Sequence, residues 1–281
     1  MNPRTKPSRF FLAGVLAVAV LLAALAQPKG LGARQGTKKS PDAAAEAARL
    51  NNLGVAYMNQ QRFEQGLKLF EQASVLEPGL TAARLNQGIA LYNLQRMEAA
   101  LPVLEEVAQE HPENVSAWFN LGLLHRNRGE AEAAMESFAR VARLDPEDAD
   151  TQYYLGAAAT LLEKYEVAAT AFERALKSNP FHASAEFGLA RAYQRTGQAE
   201  RAQEHLARFQ RITQEKLGAP IGLAYGDQGR YSLAEEVASA APEAAAAIPV
   251  RFVSAARLAG LRFRREDGGG STIAEPGEQP T

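Results

Sequence analysis

The 281-residue sequence contains no cysteine and a single tryptophan. The first absence excludes disulfides, thiolate nucleophiles and cysteine-ligated zinc. It leaves the redox compartment open, because a helical protein of this size needs no staples. An excess of charge of either sign is also missing. The formal net charge is −1, and setting aside the first 26 residues, which carry Arg4, Lys6 and Arg9 and no acid, leaves −4. With no basic field to hold a phosphate backbone, nucleic acid is not an expected partner. Histidine is sparse, and His111, His125, His182 and His205 share no i, i+4 helical face, so no metal pair is expected. No serine sits in a nucleophile elbow. The run Gly268–Gly270 follows no strand and opens no helix, so it reads as a flexible linker rather than a phosphate loop. Acids such as Glu105, Glu106 and Glu132 are scattered rather than paired. Neither a catalytic constellation nor a cofactor site is expected, and the chain does not read as an enzyme.

Long apolar runs are absent except for one. Residues 10–26 are uncharged and apolar, follow three basic residues, and end in Ala24-Leu25-Ala26. This pattern fits a secretory signal peptide cleaved after Ala26. The length also lies at the lower limit for an uncleaved membrane anchor. Either way the rest of the chain is expected outside the cytoplasm, periplasmic or secreted if cleaved, and residues 10–26 are the only expected membrane contact. Residues 27–40 are polar, basic and glycine-containing, and read as a linker.

What the chain has in abundance is a 34-residue period. Trp118, Leu121, Gly122, Ala134, Phe138 and Pro146 have counterparts 34 positions upstream at Arg84, Gln87, Gly88, Ala100, Leu104 and Pro112. A further step back gives Leu50, Leu53, Gly54, Gly66, Phe70 and Pro78. Downstream lie Gln152, Leu155, Gly156, Ala168, Phe172 and Pro180, then Glu186, Leu189, Ala190, Ala202 and Leu206, with Gln214 where proline would fall. Apolar residues three and four apart within each unit predict helices. The small residues at the Gly122 and Ala134 columns are expected where two antiparallel helices cross closely. Gly129 and Gly197 are expected in turns of positive φ, the Phe138 column is expected to face the next unit, and the prolines are expected to end each second helix.

These columns resemble the tetratricopeptide repeat family, whose period is 34. The resemblance covers 47–80, 81–114, 115–148, 149–182 and 183–216, and implies an all-α right-handed superhelix. Gly222, Tyr225, Gly229, Tyr231 and Ala234 keep the mutual spacing of a sixth, degenerate unit over 215–241. The array is therefore expected to span 41–241, with an Ala/Pro/Gly-rich, mostly disordered tail over 242–281. In the family the first helix of each unit lines a concave groove through set positions. Carried onto this sequence, these give Asn51, Leu85, Phe119, Tyr153 and Phe187, then Leu123 and Arg191, then Tyr92 and Arg126 as the candidate peptide-binding residues. Such a groove would take an extended apolar or aromatic segment of a protein partner, with an acid meeting an arginine; the alternative is that the aromatics only pack on their neighbours. The chaperone-binding carboxylate clamp of the family is incomplete: Asn86 fits, but Val55, Ser116 and Asn120 stand where an asparagine and two basic residues belong.

In the tail, Phe252, Val253, Ala259, Gly260 and Leu261 resemble the opening of FG-GAP propeller domains of the ASPIC type, with the Asp and Thr of that pattern replaced by Ser254 and Ala256. The principal expectation is an exported, non-enzymatic scaffold. The alternative is a docking subunit or truncated remnant of an exported propeller or enzyme system. The groove has two expected fillers, a partner peptide anchored on the aromatic residues or Ile248–Phe263 of the same chain folding back as a lid.

Overall fold

The computed structural model describes residues 41–238 and the backbone of two short strands within the tail. The export segment, the linker and most of the tail, including most of Ile248–Phe263, lie outside the described residues. Ten α-helices alternate among those described. The first unit is α1 (Pro41–Asn59) and α2 (Phe63–Leu76), the second α3 (Thr81–Asn93) and α4 (Met97–Glu110), and the third α5 (Val115–Asn127) and α6 (Ala131–Leu144). The fourth is α7 (Ala149–Leu161) and α8 (Tyr165–Ser178), and the fifth α9 (Ala183–Arg195) and α10 (Ala199–Gln214). Each helix packs on those before and after it, as an α-solenoid requires. The first helices of units three to five begin at a side-chain cap. Asn114 accepts from the Ala117 N–H at 2.8 Å, Asp148 from Thr151 at 2.9 Å, and the His182 ring from Ala185 at 3.1 Å. These caps satisfy donors that have no partner within the first turn.

The small-residue columns have a direct packing reason. A Cβ added at Gly122 would lie 2.7 Å from the ring of Phe138, and one at Gly156 would lie 2.7 Å from Phe172. In unit two Leu104 fills the same place against Gly88, 2.6 Å from such a Cβ. The ring thus lies flat on the backbone of the paired helix, an approach only glycine allows. Phe138 also faces the next unit, stacking on Tyr154 with centroids 5.1 Å apart and planes 11° from parallel.

The turn inside every unit places one residue in the left-handed region. Gln61, Gln95, Gly129, Glu163 and Gly197, each 34 residues from the next, have φ of 57°, 59°, 77°, 57° and 77°. A side chain at Gly129 would meet nothing within 4 Å, so its cost there is conformational rather than steric. Gly129→Val should therefore destabilise the fold by about 1–2 kcal/mol, measured by urea unfolding; a variant as stable as the parent would contradict this turn geometry.

Among the described residues no sixth helical unit forms. Residues 215–238 contain no α-helix, only a 3₁₀ turn at Arg230–Ser232 within otherwise extended or bent chain. The matching spacing misled because Pro220, Gly222, Gly226 and Gly229 interrupt any helical stripe. Gly226 and Gly229 sit at φ of 96° and 102°, incompatible with a helix. The tail, expected to be mostly disordered, includes strands β1 (Arg262–Arg265) and β2 (Ser271–Ala274), which pair antiparallel with Arg262 opposite Ala274. Among the described residues no helix is long and apolar enough to cross a membrane.

Candidate functional site

The chain that leaves α10 turns back and runs through the groove in reverse order, from unit five to unit one. At the near end the Ile221 N–H donates to Ser184 Oγ at 2.9 Å, on α9. At the far end Val237 pairs with Asn52 on α1. Between these points most polar contacts are made by the first helix of a unit, and the rest by Asp145 and Asp148 in the connection from α6 to α7.

Asparagines do most of the holding. Asn52 donates to the Val237 carbonyl at 2.8 Å and accepts from its N–H at 2.8 Å. Asn86 treats Glu235 in the same way, donating at 2.8 Å and accepting at 2.7 Å. A carboxamide presents one donor and one acceptor side by side, and so matches the N–H and C=O of an extended residue. Residues 235 and 237 are alternate residues facing one wall, as in a strand. Asn51 adds a donor to the Glu235 carbonyl at 2.9 Å and accepts from Asn86 at 2.8 Å, so the two side chains orient each other. Asn120, on α5, donates to the Tyr231 carbonyl at 2.8 Å. Asn52, Asn86 and Asn120 are 34 residues apart, one position after Asn51, Leu85 and Phe119.

Side chains of the segment add a second set of contacts. The Tyr231 ring lies 5.9 Å from Phe119, and its hydroxyl donates to Asp145 at 2.6 Å. Burial, together with that carboxylate, pushes the Tyr231 hydroxyl up to about 12. Arg230 pairs with Asp145 and with Asp148, the latter at 3.0 Å. Ser116 Oγ donates to the Glu235 carboxylate at 2.5 Å. Tyr92 donates to Gln228 at 3.2 Å, and burial raises its hydroxyl above the ordinary tyrosine value. Tyr225 packs edge-on against Phe63 at 5.7 Å, and its oxygen accepts from the Ala234 N–H at 3.0 Å, which fixes the bend of the segment.

The nine candidate groove residues divide into three groups. Asn51, Tyr92 and Phe119 touch the segment as just described. Leu85 and Leu123 are fully buried in the core cluster, against which Ile221, Tyr225, Tyr231 and Ala234 of the segment also pack, so with the segment in place they offer no open groove surface. Arg126, Tyr153, Phe187 and Arg191 line an open cavity of about 450 Å³ beyond the segment, joined by Arg195. Asn52 and Arg195 were not among the candidates, and Asn86, Ser116 and Asn120 entered only as pieces of an incomplete clamp. The 34-residue spacing of the three asparagines was the available signal.

The four histidines serve separate bonds: His111 with Thr81, His125 with Glu130, His182 as a helix cap, and His205 with Glu186 at 2.6 Å. Among the described residues no cluster of three metal-ligating side chains occurs.

Comparison with known proteins agrees with the repeat fold. One tetratricopeptide repeat family model matches residues 51–109 and again 85–149, and a second matches 159–216. No curated protein sequence matches the chain. Solved structures of MamA are similar in fold. The structure described as residues 41 to the end of MamA from Desulfovibrio magneticus RS-1 is 21% identical, with a TM-score of 0.57, and covers 62% of this chain and 98% of that one. A MamA RS-1 double mutant gives 0.57 at 21% identity, covering 61% and 96%. The AMB-1 form gives 0.54 at 23% identity, covering 59% and 98%. At these identities the likeness is one of fold.

Proposed function

Because the matching repeats span more than half of the sequence, the chain belongs to the tetratricopeptide repeat family, and we propose that it is an exported, non-enzymatic scaffold whose concave groove receives an extended protein segment through main-chain hydrogen bonds. One observation carries this reading: the groove already holds such a segment, residues 221–237 of its own chain. A wall that pairs both the N–H and the C=O of alternate residues recognises extended backbone. Side-chain contacts at Tyr231 and Glu235 then select among sequences. An incoming partner that takes this part of the groove does so in exchange for the resident segment. Export rests on the basic, apolar and small-residue pattern of residues 1–26.

The test supplies the segment in trans. A chain ending at residue 218 is mixed with a labelled peptide of residues 219–238, and binding is followed by fluorescence anisotropy. The peptide should bind, and Asn52→Ala with Asn86→Ala should weaken binding by about tenfold or more, since each loses a two-point contact. Binding that ignores both asparagines would sink the main-chain reading.

A further inference from the structure

Two halves of the groove carry opposite charge. At the boundary of units three and four, Asp145 and Asp148 face inward and are met by Arg230 of the resident segment. Between units three and five the sign reverses. Arg126, Arg191 and Arg195 line one cavity, with Glu163 the single acid on its wall. None of the three guanidinium groups is paired with a carboxylate among the described residues, as is also true of Arg62, Arg140, Arg143, Arg174 and Arg211; what distinguishes the three is that they converge on one cavity.

Instead, each lies over an aromatic face: Arg126 over Tyr154 at 5.4 Å, Arg191 over Phe187 at 5.9 Å, and Arg195 over Tyr165 at 5.3 Å. Stacking of this kind holds the planar group while leaving its N–H fork free. The same cavity presents Tyr153, half-buried, and Phe187, 41% exposed. It adjoins the occupied half directly, since Ser184, which holds the Ile221 N–H, also lines it.

We propose that this cavity is a second docking site, which holds a carboxylate-rich segment of a partner protein carrying an aromatic side chain. The carboxylates meet the free guanidinium forks, and the aromatic ring packs between Tyr153 and Phe187. The resident segment supplies neither group here, because none of its residues lines the cavity; its acid Glu235 is held instead by Asn86 and Ser116. The site therefore works with that segment in place, and does not depend on the main-chain reading of the other half.

The experiment uses the full chain and two fluorescein-labelled peptides, Glu-Glu-Phe-Glu-Glu and Lys-Lys-Phe-Lys-Lys, read by anisotropy. The acidic peptide should bind, and the basic one should not. Arg126→Ala with Arg191→Ala should weaken binding by about tenfold or more, with helicity and melting temperature kept. Arg191→Lys should restore only part, since lysine lacks the planar fork. Raising the salt from about 0.05 to 0.3 M should weaken binding severalfold. Arg174→Ala, which removes an exposed arginine outside the cavity, should leave this binding intact, which separates the site from a general attraction to positive charge. The proposal is overturned if the acidic peptide fails to bind, if the double variant binds it as well as the parent does, or if the basic peptide binds equally. It is also overturned if equimolar inorganic phosphate displaces the peptide, since the cavity would then be a site for a free oxyanion.

Discussion

Phe138→Ala is expected to lower the unfolding free energy by about 3–5 kcal/mol. The side chain is fully buried, stacks on Tyr154 of the next unit, and meets Phe119 edge-on at 5.6 Å. Its ring also fills the space left by Gly122. Truncation would empty one pocket walled by units three and four, and the helix backbones on either side cannot close it without breaking both contacts. Phe138→Leu should cost clearly less, because Leu104 already occupies the equivalent site against Gly88. The reverse change makes the same point, since Gly122→Ala drives a methyl into the ring at 2.7 Å and should cost about 1–3 kcal/mol by overpacking. Urea unfolding of the three variants provides the measurement. A loss below about 1 kcal/mol for Phe138→Ala, outside the range for a buried phenylalanine, would mean that the ring is not shared between the units.

The second large effect falls on the groove. Asn86→Ala removes the donor and the acceptor that hold Glu235, together with the bond that orients Asn51. Loss of three bonds at a buried position is worth about 2–4 kcal/mol, enough to free the segment around residue 235. Hydrogen exchange at the Glu235 and Val237 amides should quicken by about a hundredfold, as a local opening free energy reduced by that amount requires. Exchange in α5 to α8 should stay as it is. Asn120→Ala, which breaks one bond to the segment, should have a smaller effect, confined to residues near Tyr231. Unchanged protection at Glu235 in the Asn86 variant would remove the asparagine clamp from the account.

Much of the architecture was legible in the sequence because it is local and repeated. Glycine opposite phenylalanine, proline after the second helix of the first four units, and a turn residue every 34 positions are constraints within one unit or between neighbours. The turns show how far this extends. Gly129 and Gly197 announce a positive φ, whereas Gln61, Gln95 and Glu163 adopt it without any local sign, and only the period reveals them. The groove was less legible for a different reason. Position alone could place Leu85 and Phe119 toward the concave side, but whether a side chain there reaches the surface depends on how closely the next helix approaches. Tyr225, Tyr231 and Ala234 match repeat columns and so predict a degenerate unit over 215–241, but Gly226 and Gly229 between them hold a positive φ that no helix accepts. The contact of Asn52 with Val237 bridges 185 positions, and no periodic pattern encodes such a pairing.

That same bridge changes how the array comes apart. A solenoid whose units touch only their neighbours frays from its ends, and its unfolding broadens as terminal units melt separately. Here the chain beyond the fifth unit is stitched back to the first, so the two ends share one fate. The first unit cannot peel away without also releasing residues 235–237, which Asn51 and Asn52 hold. Melting of the intact chain should thus be sharp for a repeat protein. The helices can form early from nearby contacts, while the stitch waits for a long loop to close. Cutting the chain after α10 would then be felt first at the opposite end, in α1.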